Sequence, residues 1–191
     1  LLGRVKEAIA LSQKALQANL SGRDRAVVLN NHASLLEATR QFDEARRTYR
    51  AAIGMYDAYA QPAELATALT NLGALESRLG DHGSARKLHT QAYELLKRTG
   101  RESSRAGAAV LHNQAITEFQ AGKLRDALRR MEAAAELCSM LVGDVMQRAV
   151  ILANYAAMLE RSGQQSKASD ARSQARSLLP ASAKWTVNVD A

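Results

Sequence analysis

The sequence predicts an all-α chain of antiparallel helix hairpins stacked side by side, and three observations carry that prediction. Composition comes first: 37 of the 191 residues are alanine and 25 are leucine, while proline occurs only at Pro62 and Pro180. Alanine loses no side-chain entropy in a helix, and leucine loses little. The second observation is an internal repeat with a spacing near 40 residues. The third is a glycine, or one substitute, between successive apolar-periodic stretches, where a residue able to take positive φ ends one helix and frees the next.

Five segments share the pattern of glycine or a substitute, an alanine five residues on, and a second alanine seven further. They run from Gly3 to Ala8 and Ala15, and from Arg40 to Ala45 and Ala52. The next three run from Gly80 to Ala85 and Ala92, from Gly122 to Ala127 and Ala134, and from Gly163 to Ala168 and Ala175. Their first alanines lie 37, 40, 42 and 41 residues apart. Upstream of each turn sits a second matched set. Leu29, Leu69, Leu111 and Leu152 each precede an asparagine by two, and the small residues Ala33, Gly73, Ala115 and Ala156 follow each asparagine by two. Small residues at fixed places on both helices let the backbones approach, and larger ones such as Leu36, Tyr49, Met131 and Leu159 fill the remaining space. A single hairpin cannot bury its apolar face, so stacking makes the core.

The periodicity places helices at about 3–19, 23–39, 42–60, 62–79, 82–98, 103–121, 124–142, 144–162 and 165–178. Pro62 suits a first helical turn, where its missing N–H has no intrahelical partner to lose. Asp43 and Asp81 are side-chain caps, and Ser103 is a weak one. The array occupies residues 1–180: residues 1–20 supply only a second helix, and repeats follow at about 21–60, 61–100, 101–142 and 143–180. Residues 181–191 form a tail in which Trp185, Val187 and Val189 alternate in strand fashion.

This pattern resembles the tetratricopeptide repeat over about residues 1–180, with the spaced small residues at the family's packing positions and Pro180 where a repeat commonly closes. The period departs from the usual 34 or so and is similar to the longer repeats of kinesin light chains and bacterial regulatory arrays. The resemblance implies a right-handed superhelix of about 4.5 repeats, with first helices lining a concave groove. Carried over residue by residue, the groove positions are Val27, Asn30, Asn31, Ser34, Glu37 and Ala38, then Thr67, Thr70, Asn71, Ala74, Ser77 and Arg78. The next repeats add Ala109, His112, Asn113, Ile116, Phe119 and Gln120, then Val150, Ala153, Asn154, Ala157, Glu160 and Arg161. A carboxamide can pair with both N–H and C=O of an extended peptide, so Asn31, Asn71, Asn113 and Asn154 form a candidate ladder for backbone recognition. The same four residues could instead bond neighbouring helices and fix the stagger of the hairpins. Members that clamp a chaperone's terminal carboxylate carry Lys or Arg one turn before the asparagine. Val27, Thr67, Ala109 and Val150 stand there in this sequence, which excludes that clamp.

Chemistry beyond binding finds little support. His32, His82 and His89 fall at packing positions, and His112 alone lies on the groove face. No Cys/His spacing suits zinc, no phosphate-cradling loop is present, and Cys138 reads as core. Glu76 and Glu118 occupy matched sites where paired carboxylates could do acid–base work, or pair with arginines such as Arg105 or Arg78. The reading is therefore a non-catalytic protein-interaction module without metal or cofactor, whose partner is a protein or peptide segment. A homodimer through open ends exposing Leu1, Leu2 and Val5 is the alternative. The net charge of +7 is spread along the helices, and the lack of aromatic stacking platforms counts against nucleic acid. No apolar window reaches membrane-spanning length. With one cysteine and no leader pattern, the expected compartment is the cytoplasm.

Overall fold

The structure, a computed structural model, describes residues 2–57, 60–141 and 143–179. Among them are nine helices: α1 (Leu2–Leu16), α2 (Gly22–Ala38), α3 (Phe42–Met55), α4 (Pro62–Arg78), α5 (His82–Arg98), α6 (Arg105–Gln120), α7 (Leu124–Met140), α8 (Val145–Arg161) and α9 (Gln165–Ser177). Leu1, the Leu2 side chain and the tail from Pro180 onward lie outside the described residues, so the strand-like alternation around Trp185 and the apolar end at Leu1 and Leu2 do too. On α1, Val5 is half-buried and Leu11 is exposed.

The hairpin turn is one motif used four times. Arg40, Gly80, Gly122 and Gly163 all take positive φ, at 62°, 88°, 77° and 80°. The residue after each donates its N–H across the turn, Gln41 to the Leu36 carbonyl, Asp81 to Glu76, Lys123 to Glu118 and Gln164 to Leu159. This is the Schellman closure of a helix C-terminus. The second helix begins one residue later, so the two helices leave the turn antiparallel. Arg40 does with an L side chain what glycine does elsewhere.

Three local expectations change. Helix α3 stops at Met55 rather than near 60, because Tyr56 is extended and Asp57 turns the chain, its carboxylate accepting from the Ala60 N–H at 2.7 Å. The cap of α6 is Ser104, not Ser103, and accepts from the Gly107 N–H. Asp81 caps α5 as expected, but Asp43 lies inside the first turn of α3, whose N-cap is Gln41. Pro62 opens α4 within its first two positions.

Each hairpin closes on the paired small residues. Ala33, Ala45, Ala85, Ala115, Ala127, Ala156 and Ala168 are all at most 1% exposed. At Gly73 the approach is closest: a Cβ there would lie 2.5 Å from Cε1 of His89, a fully buried ring whose Nε2 stands 3.2 Å from the Thr117 hydroxyl. The imidazole fills the space that the missing side chain leaves.

Between hairpins, each second helix packs on the next first helix. First helices also touch one another, α2 with α4, α4 with α6 and α6 with α8, whereas no pair of second helices is in comparable contact. The first helices are therefore the inner layer of a curved stack and the second helices the outer one. The result is an all-α superhelix.

Two of the junctions are ionic. Arg46 on α3 grips buried Glu76 on α4 with both ends of its guanidinium, at 2.8 and 2.7 Å. One layer on, the matched Arg86 on α5 lies 3.2 Å from buried Glu118 on α6. The carboxylates thus pair with Arg46 and Arg86, not with Arg78 or Arg105. At the following junction the repeat register substitutes Leu128 for the arginine and Leu159 for the glutamate, and Leu128 packs on the cluster that holds Leu159.

Two stability outcomes follow from this packing. Gly73→Ala should lower the urea midpoint by the equivalent of about 1–3 kcal/mol even though alanine is the better helix former, because the His89 ring has to move. Arg46→Leu should cost about 3 kcal/mol by leaving Glu76 buried without its main partner, and adding Glu76→Leu should recover most of the loss. Equal costs for the single and double variants would show that the ion pair does not govern this junction.

Candidate binding surface on the first helices

The inner face is crossed by side-chain bridges at seven-residue intervals, which return to nearly the same helix face after two turns. Between α2 and α4 they are Arg23–Glu64 at 2.7 Å, Asn30–Asn71 at 3.2 Å and Glu37–Arg78 at 3.0 Å. Between α6 and α8, Gln147 donates to the Arg105 carbonyl at 3.3 Å, Asn154 donates to Nε2 of His112 at 2.8 Å, and Arg161 stacks 4.8 Å above the Phe119 ring. These two seams have few close backbone contacts, so long side chains span them. Helices α4 and α6 run closer together, and there Ser77 donates to the side-chain amide oxygen of Gln120 at 2.7 Å.

The candidate groove residues accordingly divide. Asn30, Asn71, Asn154, His112, Arg78, Phe119 and Arg161 are engaged with the adjacent first helix. Asn113 donates to the Ala109 carbonyl of its own helix at 2.9 Å. Thr70 is buried and bonds the Ala66 carbonyl, so its hydroxyl faces no ligand. Asn31 and Thr67 are exposed on the inner face. The four matched asparagines therefore have three different environments.

Thr67 and Ala109 come together in a cleft of about 530 Å³ between α4, α6 and the start of α8. Its walls are small or apolar, with Ala63 and Ala106 beside them, and its rim carries Glu64, Arg101, Ser104, Arg105 and Gln147. Glu64 is held by Arg23 and Arg105 by Asp144 at 3.0 Å, whereas Arg101 is exposed and forms no ion pair among the described residues. Burial of the Glu64 carboxyl is outweighed by its hydrogen bonds and by the nearby arginines, and its pKa lies below the ordinary value. Sequence reasoning reached Thr67 and Ala109 through the repeat register. It missed Arg101 and Ser104, which sit in the α5–α6 connection where that register lapses.

With this geometry in hand, comparison with known proteins identifies the repeats. Residues 24–98 match the family model of the tetratricopeptide repeat. The repeats within residues 24–98 are tetratricopeptide repeats. No curated protein matches the chain by sequence. Among solved structures, the tetratricopeptide fold here is similar to BtubC (BKLC) from P. vanneervenii, with a TM-score of 0.73 and 19% identity over 97% of this chain and 81% of that one. A Podosopora anserina protein described as a kinesin light chain with nearly identical TPR-like repeats gives 0.64 and 18%, over 92% and 87%. MamA gives 0.57 and 14%, over 92% and 89%. At these identities the likeness is one of fold. Tetratricopeptide arrays are in general protein-interaction or scaffold modules. Among the described residues no helix is long and apolar enough to cross a membrane.

Two histidines tie this surface to pH. Burial pushes the pKa of His112 down to about 4, and burial together with nearby Arg130 does the same to His89. The unfolded chain would bind those protons near pH 6.5. Between about pH 6.5 and about 4 the unfolded state holds more protons than the folded one, so stability is complete above the window and falls as pH descends through it. Urea midpoints should hold from pH 8 to about 7 and decline below about 6.5. His112→Gln, which keeps an acceptor for Asn154, should decline less steeply; an unchanged slope would remove His112 from the account.

Proposed function

We propose that this chain is a non-catalytic scaffold that takes up a segment of a partner protein along its inner face, anchored at the cleft between α4, α6 and α8. The observation that carries the reading is the cleft itself: about 530 Å³ of open space bounded by Ala63, Thr67, Ala106 and Ala109, in the layer where tetratricopeptide arrays present their first helices. Small residues leave room for an incoming apolar side chain, whose burial supplies affinity in proportion to the area covered. The polar rim sets orientation. Arg101 offers a cation, and the Gln147 carboxamide oxygen is buried without a hydrogen-bond partner and can accept from a ligand N–H.

The asparagine ladder plays a smaller part than its repetition implies. Asn71 and Asn154 each already commit an N–H to Asn30 and His112. They act by spacing the first helices, while Asn31 remains exposed to a ligand.

Filling the cleft tests the reading. Wild-type chain and a Thr67→Trp/Ala109→Trp variant, immobilised separately, would be exposed to an extract of the native host and the retained proteins quantified by mass spectrometry. Retention of the specific partner should fall at least tenfold for the variant with helical content unchanged, an effect of about 1.4 kcal/mol or more. An outer-face variant, Arg125→Ala, should retain it fully. Undiminished retention by the filled cleft would reject this face as the binding surface.

A further inference from the structure

We propose that the outer face pairs antiparallel with the same face of a second copy of this chain. The proposal is independent of the inner-face reading and begins from two clefts of the same construction. Between α3 and α5, over α4, lies a cleft of about 250 Å³ whose rim carries Arg50, Lys87, Ser84 and Gln91. Two layers on, between α7 and α9 over α8, lies another of about 330 Å³. The repeat register maps the first onto the second position by position: Arg50 onto Glu132, Lys87 onto Asp170, Ser84 onto Lys167 and Gln91 onto Gln174. At two of these four positions the sign of the charge is reversed, and at a third Lys167 replaces Ser84.

The other charges in each cleft leave that reversal standing. In the first, the carboxylate of Glu76 is buried and already held at two points by Arg46, and Arg50, 3.8 Å from it, keeps most of its side chain in solvent. In the second, Glu136 adds a third carboxylate, against Arg148 and Lys167. The first cleft is thus net basic and the second net acidic. At the junction between them the matched positions are Thr90 and Arg129, and Arg129 is paired along its own helix with Asp126 at 3.3 Å. From the first cleft to the second, the charge at the cleft rims thus changes from basic to acidic.

A surface of that kind is complementary to itself when turned end for end. A two-fold axis through the α5–α7 region sets Arg50 and Lys87 of each copy against Glu132 and Asp170 of the other, and the contact occurs twice, as an isologous interface requires. A parallel arrangement would put like charges together. Exposed charge pairs are individually weak and are screened by salt, so the pairing belongs to the weak, reversible class of interfaces.

The test is light scattering at about 1 mM chain and about 20 mM salt, where screening is slight. The mass should rise from 20.7 kDa toward twice that value and return to the monomer at about 0.5 M salt. Arg50→Glu/Lys87→Glu should stay monomeric, and so should Glu132→Lys/Asp170→Lys. An equimolar mixture of the two variants should regain the dimer mass, because both contacts become attractive again, and that regain also shows that both variants fold. A wild type that stays monomeric overturns the proposal. So does assembly that the charge reversals leave unchanged, a mixture that does not recover, or growth beyond the dimer. A monomeric wild type that binds polyglutamate through Arg50 and Lys87 would overturn it in favour of an acidic partner segment.

Discussion

Close approach of helices at residues with almost no side chain is the constraint on which the rest of this structure depends. In each complete hairpin a small residue on the first helix, Ala33, Gly73, Ala115 or Ala156, faces an alanine on the second, and these positions are fully or almost fully buried. Bringing two backbones that near leaves fixed gaps above and below the contact, and in the first three complete hairpins one larger residue fills them. Tyr49, His89 and Met131 occupy the same position of successive second helices, and each is at most 1% exposed. Their chemistry differs widely while their place does not. That explains how a histidine comes to be buried and neutral: it is there for its shape, and its Nε2 meets the Thr117 hydroxyl one layer on.

The inner face follows from the same spacing. Where first helices lie far apart, polar side chains reach across and pair with each other; where α4 and α6 come close, short residues remain and a cleft opens at their N-terminal ends. A polar ladder and an open groove are therefore competing uses of one surface. Side chains that hold the curvature are fixed in place and keep fewer bonding groups for a ligand. The open part of the face lies in the layer where the seam is tight, at Thr67 and Ala109, rather than being spread evenly over every repeat.

The periodicity made the helices, the turns and the small-residue contacts legible, down to Arg40 as the turn residue in place of glycine. Those features are set by local chemistry repeated in register. The end of α3 was not legible, because the turn at Asp57 depends on a side-chain bond to the Ala60 N–H that breaks the repeat. Nor was the fate of the asparagines. Asn71 and Asn113 look equivalent in sequence, but one faces Asn30 across a wide seam while the other bonds its own helix. Seam width is a property of the stack, which no single helix encodes. A signal did exist: Arg23, Asn30 and Glu37 repeat at sevens and match Glu64, Asn71 and Arg78 one repeat later with complementary chemistry.

The succession of two ionic junctions and then an apolar one bears on how register is kept in a stack of near-identical layers. A guanidinium that meets a carboxylate with two parallel bonds fixes both distance and orientation, so α3 has one seating on α4, whereas Arg86 meets Glu118 through a single ion contact at 3.2 Å. A leucine pair such as Leu128 and Leu159 has no such directionality and tolerates small slides. Replacing a buried ion pair by apolar residues is often neutral in free energy, so the ionic junctions are better understood as devices for specificity than for stability. They lie in the middle of the array, where a layer could otherwise slip against either of two similar neighbours. The two outer-face clefts differ in charge for a related reason. Arg46 and Arg86 already hold the buried glutamates, so Arg50, 3.8 Å from Glu76, keeps most of its side chain in solvent and Lys87 is exposed, whereas α7 and α9 carry carboxylates at the matched positions.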